Sequence, residues 1–149
     1  MEREEIPRYV TDASVAVKWF IEEEETRQAV TLKERFENGD VILEAPTLLA
    51  YEVASALRFH PKIRITPKQF RVVVESLNQM QIMRDPDDIE WTTAFRLSME
   101  NPISIYDAIY LGLASVGNIK MVTADSTLVA RLRSPELKGS VIMLEDLTP

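Results

Sequence analysis

The sequence contains no cysteine and a single histidine, His60. Without thiols there is no disulfide framework, no thiolate metal site and no cysteine nucleophile. With one imidazole there is no histidine pair to divide general acid and base work. Glycine is scarce, at 4 residues, and nowhere joins proline in a linker. The 149 residues therefore fit one domain, 1–149, large enough to bury about two thirds of the surface that the unfolded chain exposes. No apolar run approaches the roughly 18 residues of a membrane span. The opening "MEREEIPRYV" carries acids where a secretory signal would carry basic and then apolar residues. The expectation is a cytoplasmic protein without a membrane partner.

What is present is an ordinary globular balance, 46% apolar and 28% charged. The net charge of −7 argues against a protein that grips nucleic acid over its whole surface. Its distribution is uneven. No acid occurs from Val53 to Val74, while Arg58, Lys62, Arg64, Lys68 and Arg71 place five positive charges in that window. The window is either a solvated face or a track for a phosphate backbone. The opposite run, Glu22 to Glu25, reads as a solvated helix start, where carboxylates complement the macrodipole.

Strands and helices alternate along the chain. "RYVTD" predicts a strand ending at Asp12, followed by the amphipathic "ASVAVKWF" and a helix from about Thr26 to Asn38 closed by Gly39. "VILEA" predicts a second strand, and "TLLAYEVASALRF" is too long and alanine-rich for anything but a helix. Thr66-Pro67 opens another helix, with Thr66 as cap and Pro67 in the first turn. Then come a strand in "MQIMRD", helices over Asp87–Met99 and Ser104–Val116, a strand "KMVTA", a helix over Ser126–Arg133 and a last strand "VIMLED". Alternation of this kind implies parallel pairing and an α/β three-layer α/β/α sandwich around a mainly parallel sheet.

Ligands of parallel sheets gather at the carboxyl ends of strands. Asp12 and Asp125 both end strands there, and they open onto one crevice if the two strands are neighbours. Two further acids sit on apolar helix faces. Glu52 has Leu48, Leu49, Ser55 and Ala56 at helical spacing, and Asp107 has Tyr110, Leu111 and Ala114. Each acid taken singly has a plain structural explanation. Asp125 can cap the helix after it, Ser104-Ile-Tyr-Asp107 matches a capping box, Asp12 suits a strand-end turn, and Glu52 can pair with an arginine. Four carboxylates converging on one pocket would instead repel one another unless a divalent cation lay between them. A hard oxygen set suits Mg²⁺ or Mn²⁺ rather than zinc.

Together "VTDASV", the Glu52 helix, "SIYDAIYLGLA" and "MVTADSTL" resemble the PIN-domain nucleases, in particular the VapC toxins of prokaryotic toxin–antitoxin pairs. The resemblance runs from about Arg8 to the last strand, and its last two motifs are the specific ones. It implies that Asp12, Glu52, Asp107 and Asp125 are the acidic metal-site positions, with Ser14 and Thr123 as the small hydroxyl residues that support them. It further implies a Mg²⁺- or Mn²⁺-dependent endoribonuclease that leaves a 5′-phosphate and a 3′-hydroxyl. A homodimer held by a small antitoxin is the expected assembly. Trp19 and Phe20 are candidate interface anchors, with burial in the core as the alternative. Arg58, Lys62 and Arg64 are candidate RNA contacts, and His60 is a loop residue within reach of phosphate.

Two other readings compete. A receiver-type signalling domain also collects acids at strand ends, but here the first strand ends in one Asp rather than an acidic pair, and no lysine follows the last strands where one is expected. A PIN scaffold that binds RNA or protein without cutting is separated from the nuclease by a metal-dependent cleavage assay. A short upstream reading frame encoding a DNA-binding antitoxin would support the toxin role.

Overall fold

The computed structural model describes residues 5–147, in which five parallel strands alternate with helices. The chain runs β1 (Arg8–Thr11), α1 (Ala13–Ala16) leading into a 3₁₀ turn (Val17–Trp19), α2 (Thr26–Glu37), β2 (Ile42–Pro46) and α3 (Leu48–Arg58). It continues through α4 (Pro67–Met80), β3 (Met83–Arg84), α5 (Asp88–Glu100), α6 (Ile105–Gly117) and β4 (Lys120–Thr123). The last elements are α7 (Ser126–Arg131), α8 (Pro135–Lys138), β5 (Val141–Met143) and a 3₁₀ turn over Leu144–Asp146.

The sheet order is β3-β2-β1-β4-β5. Strand β1 pairs with β2 on one side and β4 on the other, with Thr11 opposite Val122. The chain winds outward through β2 and β3, then returns across β1 to build β4 and β5, so the order reverses between β1 and β4. A crevice opens at such a switch point, beyond the strands' carboxyl ends. The expected three-layer α/β/α sandwich is the observed architecture: α6 lies across β1, β2 and β4 beneath α5, while α1 and α3 meet the sheet through β4 and β2.

Local chemistry explains the main helices. In α3, Leu49, Val53 and Leu57 recur every four residues and are all buried. Helix α6 is buried continuously from Ala108 to Ala114 because α5 covers its outer side. That contact depends on Gly112, where a Cβ would lie 2.9 Å from the Glu90 backbone oxygen. Thr66 and Gln69 form the capping box of α4, with Pro67 in the first turn. Asp87 and Glu90 form that of α5. The buried Glu90 also takes a two-pronged bond from Arg84, both contacts 2.7 Å, which holds its carboxyl below the ordinary range and ties α5 to β3.

Several boundaries differ from expectation. Instead of continuing through "VAVKWF" as one amphipathic segment, the chain tightens to 3₁₀ at Val17. Trp19 and Phe20 pack against the core, partly buried, and the indole donates to the Ala29 carbonyl at 2.9 Å. The core alternative therefore holds for this pair, and the large exposed aromatics are Tyr51, Phe59, Trp91, Phe95 and Tyr106. No acid stands in the first turn of α2. Glu25 precedes it with φ at +65°, and Glu23 turns back to Lys18 at 3.1 Å and His60 at 3.3 Å. The strand expected in "MQIMRD" shrinks to Met83–Arg84, because α4 runs through Met80 and ends on a left-handed Gln81. Helix α7 stops at Arg131, where the chain extends so that Leu132 is buried, and Ser134 with Pro135 starts α8. The last strand ends at Met143, since Leu144 turns into the core.

Candidate active site

Pairing of β1 with β4 sets Asp12 beside Thr123, one residue beyond the Thr11–Val122 register. Asp12 is 7% exposed. Its Oδ1 accepts from the Ser14 hydroxyl at 2.6 Å and from the Val15 backbone N–H at 3.2 Å, and its Oδ2 accepts from the Thr123 hydroxyl. The hydroxyl oxygens are themselves acceptors: Ser14 Oγ takes the Ala124 N–H at 2.9 Å, and Thr123 Oγ1 takes the Asp125 N–H at 3.1 Å. Each hydroxyl proton is thus aimed at Asp12 by a backbone amide behind it. Ser14 and Thr123 therefore hold the carboxylate in one orientation.

Burial dominates the electrostatics. It pushes the Asp12 carboxyl up to about 6, against the opposing bonds from Ser14, Thr123 and Val15, and the charge of Asp125 adds to the rise. Burial also raises Asp107, with Asp125's charge in the same direction and the Ser104 hydroxyl and Arg131 opposing. Glu52 is raised by burial, opposed by Tyr110 and assisted by Asp107's charge. The four acids thus form one chain of mutual repulsion, Asp12–Asp125–Asp107–Glu52. Among the described residues none of the four is in a salt bridge.

Capping does not use up the carboxylates. Asp125 Oδ1 caps α7 by accepting from Thr127 and Leu128 N–H at 3.0 and 3.3 Å. Its Oδ2 has no bonding partner among the described residues and is left for the crevice. At α6 the capping bond runs from the Asp107 backbone N–H to Ser104 Oγ at 3.1 Å, so that bond does not use the Asp107 carboxylate. Among the described residues Glu52 pairs with no arginine; its Oε1 accepts from the Tyr110 hydroxyl at 2.6 Å. Burial and Glu52 both raise the Tyr110 phenol, which keeps it a donor.

Among the described residues no three carboxylate or imidazole groups are gathered into a ready cage for an ion. The donor set nevertheless fits Mg²⁺, which dehydrates reluctantly, keeps several waters and is bound through one or two carboxylates. All the acids offer hard oxygens, and the buried Asp12, which its three hydrogen bonds compensate only in part, is the charge that a cation would relieve.

The basic window stands apart from the acids. Arg58 and Arg64 line a different, largely apolar groove of about 450 Å³ between α3 and α4. Arg58 lies over the Phe59 ring at 4.9 Å, and Arg64 donates to the His60 and Ile63 carbonyls at 2.7 and 3.3 Å. Lys62 projects from the loop and is exposed. His60 organises that loop: its Nδ1 accepts from the backbone N–H of Lys62 and Ile63, both 3.1 Å, while Nε2 faces Glu23.

Sequence reasoning missed three tyrosines. Tyr110 positions Glu52, and its signal was its place one turn after Asp107 on the same face. Tyr51 and Tyr106 flank a groove beside Ser14 and Glu52, and each immediately precedes a site acid, in Tyr51-Glu52 and Tyr106-Asp107.

Comparison with known proteins agrees with the fold. The model of the PIN domain family matches residues 9–132. A structure of PAE2754 from Pyrobaculum aerophilum aligns with a TM-score of 0.66 at 18% identity, covering 94% of this chain and 85% of that one. A toxin–antitoxin complex from Klebsiella pneumoniae aligns at 0.65 and 15% identity, covering 93% and 99%. VapBC2 from Rickettsia felis, bound to a DNA fragment from its promoter, aligns at 0.63 and 12% identity, covering 91% and 96%. No curated protein matches significantly.

Proposed function

Since the chain belongs to the PIN domain family, we propose that it is a Mg²⁺- or Mn²⁺-dependent endoribonuclease and the toxin of a toxin–antitoxin pair. The observation that carries the reading is the buried Asp12, locked by Ser14 and Thr123 at the sheet's switch point, with three more carboxylates linked to it by charge repulsion and none of the four in a salt bridge among the described residues. Asp12, Glu52, Asp107 and Asp125 would hold the ion, one or two of them directly and the others through its waters, and the ion would supply a water acidic enough to act as nucleophile near neutral pH and a counter-charge for the phosphate.

The chain's own residues do the rest. Ser14 and Thr123 keep both Asp12 oxygens oriented and spend their protons there, so neither hydroxyl is the nucleophile. Tyr110 holds Glu52 to the groove wall and, with its acidity suppressed, donates without giving up its proton. Burial raises the Asp107 and Glu52 carboxyls above their ordinary range, a cost that a bound ion would offset. Arg58, Lys62 and Arg64 lie toward the far end of the helix that carries Glu52 and would take backbone phosphates away from the cut.

Similarity to a toxin–antitoxin complex and to VapBC2 supports a small antitoxin as partner, and the toxin reading carries with it a homodimer in the cytoplasm. No described helix is long and apolar enough to cross a membrane. The deciding experiment is cleavage of single-stranded or looped RNA by protein freed of contaminating nuclease, with Mg²⁺, Mn²⁺ or EDTA. Cleavage is expected with either ion and abolished by EDTA and by Asp107→Asn; undiminished cleavage in EDTA refutes the mechanism.

A further inference from the structure

Beside the four carboxylates the helices leave a groove of about 480 Å³, bordered by α1, α3 and α6. Its one charged lining residue is Glu52 and it has no basic one, while Ser14 joins it to the acid cluster. Tyr51 and Tyr106 line it and are 74% and 57% exposed, and neither hydroxyl bonds to a described residue. Successive side chains on a helix diverge by about 100°. A tyrosine placed directly before an acid therefore stands at the border of the acid's face, outside the crevice mouth, and this happens on two helices at once.

Such a groove is unsuited to phosphate. A second negative charge beside Glu52, with no arginine or lysine in the lining, is repelled. A nucleobase is neutral and offers flat π-faces to the tyrosine rings. Resting on the nuclease reading above, we propose that this groove receives an unpaired nucleobase of the substrate against Tyr51 and Tyr106, which places the adjoining phosphodiester at the carboxylates. The substrate class is then single-stranded or looped RNA, because a base paired in a duplex has its faces and its edge already engaged.

The test measures binding apart from cleavage. Two fluorescent oligoribonucleotides of equal length and phosphate count are compared by anisotropy, one carrying bases and one abasic, against the Asp107→Asn protein as a non-cleaving parent. The parent is expected to prefer the base-bearing strand. Replacing Tyr51 and Tyr106 together by Ala should weaken binding of that strand by about 5- to 150-fold, the range for losing one stacked base, and leave the abasic strand unaffected. Tyr51→Phe with Tyr106→Phe should retain the parent's preference.

A parent that binds both strands equally overturns the proposal whether or not the alanine variant folds, and so does an alanine variant that keeps the preference. In either case the groove fits a protein partner better than a base. Failure of the nuclease reading looks different: wild-type protein that cleaves nothing, yet loses base preference when the tyrosines go, keeps the groove and removes the enzyme.

Discussion

Asp12→Asn tests the electrostatic reading of the site. The carboxyl titrates at about 6 in the folded protein against an ordinary 3.8. A folded-state value raised above the unfolded one means that the folded protein binds the proton more tightly. Stability is then fully present below pH 3.8 and is lost as pH rises through 6. Linkage puts the loss below about 1 kcal/mol at pH 4, rising to about 3 at pH 7.5. Asparagine cannot ionise, and its bonds can be satisfied: Thr123 Oγ1 can accept the new N–H and turn its own proton to Ser14 Oγ, 3.3 Å away. Without metal at pH 7.5 the variant should therefore be more stable by about 2–3 kcal/mol, or roughly 4–12 °C in melting midpoint for a chain of this size. The advantage should nearly vanish at pH 4. Melting both proteins in EDTA across that range isolates Asp12, because the other carboxylates titrate in both. Added Mg²⁺ should stabilise the wild type and not the variant. A variant that melts below wild type at pH 7.5, or a difference independent of pH, refutes the reasoning.

Ser14→Ala removes a donor to Asp12 and orphans the Ala124 N–H, which should cost about 1–3 kcal/mol. Asp12→Asn should then stabilise that background more than it stabilises wild type, a coupling readable in a double-mutant cycle by denaturant titration. Asp107→Asn keeps the Ser104 bond to its backbone and should not lower the melting midpoint in EDTA; a clear fall would assign the carboxylate a structural role. Replacing Arg58, Lys62 and Arg64 together by Ala should weaken RNA binding and flatten its salt dependence, with cleavage at saturation falling far less than in Asp107→Asn. Gly112→Ala should force α5 away from α6 at a cost of about 1–3 kcal/mol, seen as a lower denaturant midpoint.

Asp12 and Asp125 were legible because each follows a run of strand residues, where parallel sheets present ligands. Glu52 and Asp107 were legible because a carboxylate among leucines and alanines conflicts with its surroundings. Thr66-Pro67 announced α4 through its cap. What stayed hidden depends on pairing across the fold. Only the β1–β4 register makes Thr123 a donor to Asp12, and only the approach of α3 to α6 brings the Tyr110 hydroxyl to Glu52. Tyr51 and Tyr106 have apolar helical neighbours, so periodicity could not tell a core aromatic from an exposed one. The strand in "MQIMRD" was overread for a related reason: the apolar pattern is the same whether Met80 ends a helix or starts a strand.

The Asp12–Thr123 bond joins residues 111 positions apart. A ribosome that has made everything through α6 has produced Asp12, Glu52 and Asp107, yet Asp12 still lacks the strand that orients it. Closing so long a loop is entropically late in folding, since the chain must give up its freedom before the contact repays it. Under the proposed nuclease reading, this ordering is a delay in arming the site. The Asp12 carboxylate is oriented only once β4 docks beside β1.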